Sequence, residues 1–184
     1  MNTERSLYEI EVALAKTNYF NFVRNIIAFN VNGISAVLPI FHECDMLVLS
    51  KSGYLTEIEI KRSWSDFMAD FRKKHKHESG GLIKYFYYCI PEILLDKAYD
   101  ELFERKVEYT GIITYSEELY IKLHGKKQFD KFAYKFQSMP GYRKLSIEEQ
   151  LQIARFGAMR SILLKEKLIK SMNNETIRNN QTSH

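Results

Sequence analysis

The chain has 184 residues, of which 45% are hydrophobic, 14% aromatic and 27% charged. This composition suits a single folded domain with a substantial core, and it excludes an intrinsically disordered chain. The net charge of +4 and the isoelectric point near 8.9 allow a polyanionic partner without requiring one.

Two further features bear on where the protein works. No run of about 18 apolar residues occurs, and residues 1–6 lack a hydrophobic signal core. We therefore predict a cytoplasmic protein with no membrane partner. The two cysteines, Cys44 and Cys89, lie in apolar segments typical of strands, which favours buried free thiols over a disulfide.

Residues 6–22 predict a helix, because apolar residues recur along one face at helical spacing. Ser6 and Glu9 have the spacing of a capping box, in which each side chain bonds the backbone of the other residue. Glu11 lies at the edge of the apolar face. A partly solvated position and a functional one are both open for this acid.

Residues 25–41 predict one or two strands. Asn32-Gly33 is a hairpin turn signal within this stretch, and Pro39 indicates an edge or a bend.

Residues 45–61 predict a strand, a tight turn and a second strand. If residues 51–53 form a three-residue loop with its glycine in the left-handed conformation, pairing places Asp45 opposite Glu59. Lys61 then lies on the same face as Glu59, because side chains alternate along a strand. A two-residue turn would shift the partner of Asp45 by one residue and separate these side chains.

Carboxylates that converge on one point are costly unless a cation neutralises them. Mg²⁺ prefers oxygen ligands, so Asp45, Glu59 and the backbone carbonyl of Ile60 are candidate ligands. A lysine such as Lys61 beside the ion can orient the attacking water and stabilise negative charge. The alternative is an exposed strand face with cross-strand ion pairs.

The segment that follows predicts a helix that begins at Ser63, with Asp66 in its first turn. Its C-terminal end is basic, which suits the helix dipole and would also hold a phosphate backbone. An aromatic strand that ends at Pro91, a helix and another strand then form the crossover unit of an α/β sheet.

We divide the chain into three parts. Residues 1–124 form the predicted domain, residues 125–172 contain a basic, aromatic segment and a long helix packed on it, and residues 173–184 form a flexible tail. The basic, aromatic segment either contacts nucleic acid or packs against the domain. Ser146 and Glu149 predict a capping box that opens the long helix.

Together these motifs resemble the PD-(D/E)XK nuclease superfamily, and more narrowly its MmcB-like branch, which is associated with bacterial DNA repair. The resemblance covers roughly residues 6–115. It is carried by the segments C-D-M-L-V-L, E-I-E-I-K-R-S-W-S-D-F-M-A-D-F-R-K-K and Y-F-Y-Y-C-I-P. It implies an α/β fold with a restriction-endonuclease-like αβββαβ core around a central mixed sheet, to which this chain adds a C-terminal helical extension.

The resemblance also implies roles for individual residues. Asp45 and Glu59 would be metal ligands, Lys61 the catalytic lysine, and Glu11 a further, less certain ligand from the first helix. The implied cofactor is Mg²⁺, with Mn²⁺ as a substitute, and the implied partner is DNA. Asp66 and Asp70 match the helix pattern of the branch without an assigned role. The residues assigned to nucleic-acid contacts are Arg62, Ser63, Lys73 and Lys74.

We therefore predict a metal-dependent nuclease that acts on DNA in repair, recombination or phage DNA metabolism. The alternative is a non-catalytic nucleic-acid-binding module on the same fold, and a protein–protein module is a third, weaker option. Two departures from the family pattern stand out. Arg62 lies where a smaller residue is common, and Cys44 precedes the acid where the family often has proline. A homodimer is left open.

Overall fold

The computed structural model describes residues 5–34, 37–72, 81–107, 109–124, 126–129, 132–135 and 138–181. Its elements follow in the order α1 (Leu7–Lys16), β1 (Ile26–Ile34), β2 (Pro39–Leu49), β3 (Leu55–Ile60), α2 (Trp64–Asp70), β4 (Ile83–Pro91), a short 3-10 turn (Glu92–Leu94), α3 (Leu95–Glu104), β5 (Thr110–Tyr115), β6 (Ile121–His124), β7 (Lys126–Phe129), β8 (Phe132–Lys135) and α4 (Ile147–Gln181).

The first six strands form one mixed sheet in sequence order. β1, β2 and β3 are antiparallel neighbours, β3, β4 and β5 are parallel, and β6 returns antiparallel to β5. The parallel strands are joined by α2 and α3, as crossover connections require. The predicted α/β class, the αβββαβ core with its central mixed sheet and the C-terminal helical extension are confirmed.

Helices cover both faces of the sheet and give the protein two hydrophobic cores. α1 packs on one face, where Ile10 and Leu14 join what we call the first core. On the other face α2, α3 and α4 contribute Phe67, Leu102 and Ile153 to the second core. This three-layer arrangement buries the strands on both sides, which explains their long apolar runs.

The hairpin of β2 and β3 has the register predicted from its loop. Gly53 is left-handed, with φ of 82°, and the backbone N–H of Ser50 donates to the carbonyl of Tyr54 at 3.0 Å. Pairing continues from Leu49–Leu55 to Met46–Ile58, so Asp45 and Glu59 follow as the next facing positions. The three-residue loop is therefore confirmed, and the two-residue turn is wrong.

The turn predicted at Asn32-Gly33 is wrong. β1 continues through both residues, Asn32 pairs with Glu43, and the chain reverses only after Ile34, which pairs with Pro39. The turn signal is local, and the longer β1–β2 pairing overrides it. Pro39 is the first residue of β2, a position where its missing N–H is tolerated.

Two helices have ends that differ from the sequence prediction. α1 ends at Lys16 rather than near residue 22, because the N–H and hydroxyl of Thr17 both bond to the carbonyl of Leu14 and close the last turn. α4 continues to Gln181, past the end predicted near residue 172 and into the segment predicted as a flexible tail. Both predicted capping boxes are confirmed, at Ser6–Glu9 and at Ser146–Glu149.

The remaining parts of the chain are simple to place. β7 and β8 form a separate two-stranded sheet within the basic, aromatic segment, which the sequence left without a structure. Both cysteines are buried free thiols, as predicted. None of the described helices combines the length and the apolar character needed to cross a bilayer.

The left-handed loop residue yields a prediction about stability. Gly53→Ala should lower the free energy of unfolding by about 1–2 kcal/mol, because a side chain is strained at positive φ. Urea denaturation measures this change. Lys51→Ala, an exposed position in the same loop, is the control and should leave the free energy nearly unchanged. Equal stability of the two variants would contradict the assigned loop conformation.

Candidate functional site

The three residues of the predicted centre lie together where the end of β3 meets the middle of β2. The backbone N–H of Ile60 donates to Oδ2 of Asp45 at 2.8 Å, and the N–H of Asp45 donates to Oε1 of Glu59 at 3.5 Å. Nζ of Lys61 donates to Oε2 of Glu59 at 2.8 Å. The two acids and the lysine therefore converge, as the hairpin register requires.

A fourth residue, Asp70, completes this cluster from α2. Nζ of Lys61 also donates to Oδ1 of Asp70 at 3.1 Å, and the hydroxyl of Tyr88 donates to its other oxygen at 2.7 Å. Tyr88 is the partner of Glu59 in the β3–β4 register. The sequence singled out Asp70 as part of a helix pattern but gave it no role, and it did not single out Tyr88. The lysine–acid cluster, as we call it, consists of Asp45, Glu59, Lys61, Asp70 and Tyr88.

The lysine–acid cluster is closed on the core side and open at Asp45. Glu59 and Lys61 are each 3% exposed and Asp70 is 5% exposed, whereas Asp45 is only half-buried. A ligand that enters from solvent therefore meets Asp45 first. The alternative of an exposed strand face with solvated ion pairs is wrong, because these ion pairs lie in the interior.

Burial and charge shift the pKa values within the cluster in opposite directions. Burial, followed by the charge of Asp45, raises the pKa of Glu59 to about 7, although Lys61 opposes the shift. Burial alone would lower the pKa of Lys61, but the charge and hydrogen bond of Glu59 and the charge of Asp70 outweigh it and raise this pKa. Lys61 thus stays protonated at neutral pH, which suits charge stabilisation better than proton abstraction.

Glu11 is buried rather than partly solvated. It is 4% exposed, and Nδ2 of Asn30 donates to its Oε1 at 2.8 Å. Burial raises the pKa of Glu11, the hydrogen bond from Asn30 and the charge of Arg160 lower it, and Asp45 raises it further. Glu11 therefore belongs to the electrostatic surroundings of Asp45, and it accepts a hydrogen bond from Asn30.

Partway along β2, its side chains switch from one face of the sheet to the other. Met46 pairs with Phe29 beside the first core, but the pair two residues on, Cys44 and Val31, belongs to the second core. Strict alternation would have kept both pairs on one side. The residue of β1 between these pairs, Asn30, has a left-handed φ of 49°. The two strands therefore bend here, and the bend turns the start of β2 toward the second core.

The bend creates a group that sequence reasoning missed. Glu57 is fully buried, and its Oε1 lies 2.6 Å from Nε2 of His42. Sγ of Cys44 lies 3.4 Å from the same nitrogen. Burial, followed by the charges of Glu57 and Glu59, raises the pKa of the Cys44 thiol. Glu57 lies two residues before Glu59 on β3, and its pairing with His42 depends on a bend that alternation does not predict.

The residues assigned to nucleic-acid contacts are only partly described. Arg62 is exposed directly after Lys61, and its backbone N–H donates to Asp66. Ser63 is the N-cap of α2, where its hydroxyl accepts the N–H of Asp66 at 3.2 Å, so it has a structural role. The other two assigned residues, Lys73 and Lys74, lie outside the described residues.

The donors near Asp45 fit a hard divalent cation. Asp45, Glu59 and the carbonyl of Ile60 offer only oxygen atoms, the ligands that Mg²⁺ prefers. Carboxylates outnumber cations here, since Glu57, Glu59 and Asp70 are buried acids and Lys61, which bonds to the last two, is the one buried lysine in the described part of the chain. Burial is the main cause of the raised pKa of Glu59, and the charges of Asp45 and Glu57 raise it further; a bound cation would neutralise these charges.

An open groove lies away from this cluster. It has a volume of about 890 Å³ and runs between the outer face of α1 and residues 119–121. Its lining includes the exposed side chains of Tyr8, Tyr19 and Tyr120, and no member of the lysine–acid cluster takes part. We therefore identify the lysine–acid cluster as the candidate site because of its chemical groups, although the groove is more open.

The raised pKa of Glu59 has a consequence for stability. Its carboxyl group has a pKa of about 7 in the folded protein against 4.5 ordinarily, so the folded state holds the proton more tightly. Stability should then fall as pH rises from 4.5 to 7. Glu59→Gln cannot titrate, so its free energy of unfolding should fall less across this window.

Urea denaturation at a series of pH values measures the effect. Glu43→Gln, an exposed position on β2, is the matched control and should follow the wild type. A Glu59→Gln profile parallel to that of the wild type would contradict the raised pKa.

No protein-family model matches the sequence, and no curated protein matches it. Among solved structures, the chain is similar to the SPO1766 protein of unknown function from Silicibacter pomeroyi. The TM-score is 0.53 at 13% sequence identity, over 89% of this chain and 90% of the other. This similarity extends over nearly the whole of both chains and concerns the fold alone.

Proposed function

We propose that this protein is a metal-dependent nuclease that hydrolyses phosphodiester bonds in DNA. The observation that carries the proposal is the convergence of Asp45, Glu59 and Lys61 at the end of one hairpin, with Lys61 Nζ 2.8 Å from Glu59. Two acids with oxygen ligands and a charged lysine match the needs of phosphodiester hydrolysis. The PD-(D/E)XK resemblance of the sequence supports the same reading.

Each residue has a defined part in this proposal. Asp45, Glu59 and the carbonyl of Ile60 would hold Mg²⁺, with Mn²⁺ as a substitute. A bound ion of this kind lowers the pKa of water and offsets charge on a phosphate. Lys61 keeps its proton and stabilises negative charge that develops on the phosphate oxygens. Asp70, held by Tyr88, fixes the position of the lysine ammonium group.

The proposed contact with DNA depends on which residues of the site are exposed to solvent. Asp45 is the half-buried member of the cluster, and the exposed Arg62 follows Lys61 directly along the chain. A guanidinium group is well suited to contact the phosphates of DNA. Contacts from Lys73 and Lys74 remain predictions from the sequence. So do the cytoplasmic location and a role in repair, recombination or phage DNA metabolism.

One observation favours a second function, a non-catalytic DNA-binding module. Lys61 is 3% exposed and bonds to both Glu59 and Asp70, so its ammonium group is already neutralised by two acids. A catalytic lysine must release one of these partners, or share them with a metal, when substrate binds. A binding module needs no such rearrangement, and the cleavage experiment separates the two functions.

The first prediction of the proposal concerns cleavage. The purified protein should nick or degrade DNA with Mg²⁺ or Mn²⁺, and Asp45→Asn should abolish cleavage because it removes the ligand charge at nearly constant shape. Gel analysis of single-stranded, duplex and branched DNA gives the readout. Glu43→Gln, an exposed acid on the same strand, is the control and should cleave like the wild type. DNA binding without cleavage of any substrate would establish the binding module instead.

A second prediction concerns DNA affinity. Arg62→Ala should weaken binding to all sequences alike and reduce the salt slope of log affinity by about one, since one phosphate contact is lost. Fluorescence anisotropy at several salt concentrations measures this slope. Lys51→Ala removes an exposed charge at the far end of the same hairpin and should change neither quantity. Equal effects of the two variants would remove Arg62 from the DNA-binding surface.

A further inference from the structure

We propose that His42, Cys44 and Glu57 form a second metal site, which takes a borderline-soft divalent ion of the zinc class. The site is separate from the oxygen-only donors of Asp45 and Glu59, and it stands whether or not the protein cleaves DNA.

The three ligand atoms are spaced closely enough to share one ion. Nε2 of His42 lies 2.6 Å from Oε1 of Glu57 and 3.4 Å from Sγ of Cys44, and the three ligand atoms all lie within 4.8 Å of one another. Tetrahedral Zn²⁺, with bonds of about 2.0–2.3 Å, separates neighbouring nitrogen and sulfur ligands by about 3.6 Å and nitrogen and oxygen ligands by about 3.4 Å. The His–Cys pair already has this spacing, and the His–Glu pair must widen by less than about 1 Å.

The chemical types of the three ligands indicate which ion they prefer. An imidazole, a thiolate and a carboxylate are the ligands of zinc and its neighbours, whereas Mg²⁺ rarely takes sulfur. Three protein ligands leave the fourth tetrahedral position for water. The site therefore selects a different ion from the oxygen donors of Asp45 and Glu59, although Glu57 and Glu59 are only two residues apart on β3.

The fold positions the three ligands, because it holds them on two paired strands. His42 and Cys44 lie two residues apart on β2 and therefore on the same side of it. The bend at Asn30 turns this end of β2 toward Glu57 on β3. Cys44 and Glu57 are fully buried, and the His42 side chain is 12% exposed, which gives an ion its route of entry. Ligands on strands are well positioned in advance, which lowers the ordering cost of binding.

The negative charges of this group favour a bound cation. Cys44 and Glu57 are both fully buried, so a thiolate beside the Glu57 carboxylate needs a cation to compensate the two charges. A divalent ion replaces the thiol proton of Cys44, which passes to solvent, and compensates Glu57 at the same time.

Cobalt titration of the full-length protein tests the proposal, after any metal has been removed with a chelator. A thiolate-to-cobalt charge-transfer band should appear and saturate at one Co²⁺ per chain at this site. Zn²⁺ should displace the band and Mg²⁺ should not. Cys44→Ser should lose the band. Cys89→Ser, the matched control, should keep it, because this other buried cysteine lies in the first core.

A second variant keeps the test decisive if Cys44→Ser fails to fold. His42→Gln replaces a side chain that is 12% exposed and should also lose the band, while Asp45→Asn should retain it. Loss of cleavage in Asp45→Asn with an intact cobalt band separates this site from the proposed nuclease centre. A wild type without the band, or a band that survives Cys44→Ser or His42→Gln, overturns the proposal.

Discussion

The buried ammonium group of Lys61 is the interaction on which the candidate site depends. It bonds to Glu59 on its own strand and to Asp70 on α2, and Tyr88 of β4 holds Asp70 in turn. Buried charges are costly to bring out of water, and removal of one partner leaves the others uncompensated. The network therefore ties α2 to the central strands and orders the acids that the proposed chemistry uses.

The same network depends on a residue at the other end of the hairpin. Gly53 sets a three-residue loop, the loop sets the register, and the register brings Asp45 level with Glu59. A shift of one residue would turn every side chain of β2 to the opposite face. One loop glycine thus determines whether the carboxylates converge, and the excess of negative charge that results is what makes a cation chemically reasonable there.

Much of this arrangement follows from local patterns. Caps, strand alternation and the loop length predicted individual helices and strands and the convergence of Asp45, Glu59 and Lys61, while the αβββαβ order was implied by the family resemblance. The missed features depend on contacts between distant segments. The Asn32-Gly33 signal yields to strand pairing, Asp70 meets Lys61 only after α2 packs on the sheet, and the His42–Glu57 contact needs a bend that no periodicity encodes.

The central claim is that Asp45 and Glu59 hold a divalent ion in a centre built for phosphodiester chemistry. Mn²⁺ soaked into crystals of the protein gives an anomalous signal that reports the position of the ion directly. We expect a peak bounded by Asp45, Glu59 and the carbonyl of Ile60, with Lys61 still bonded to Asp70. A fully soaked crystal with no peak at these residues would contradict it.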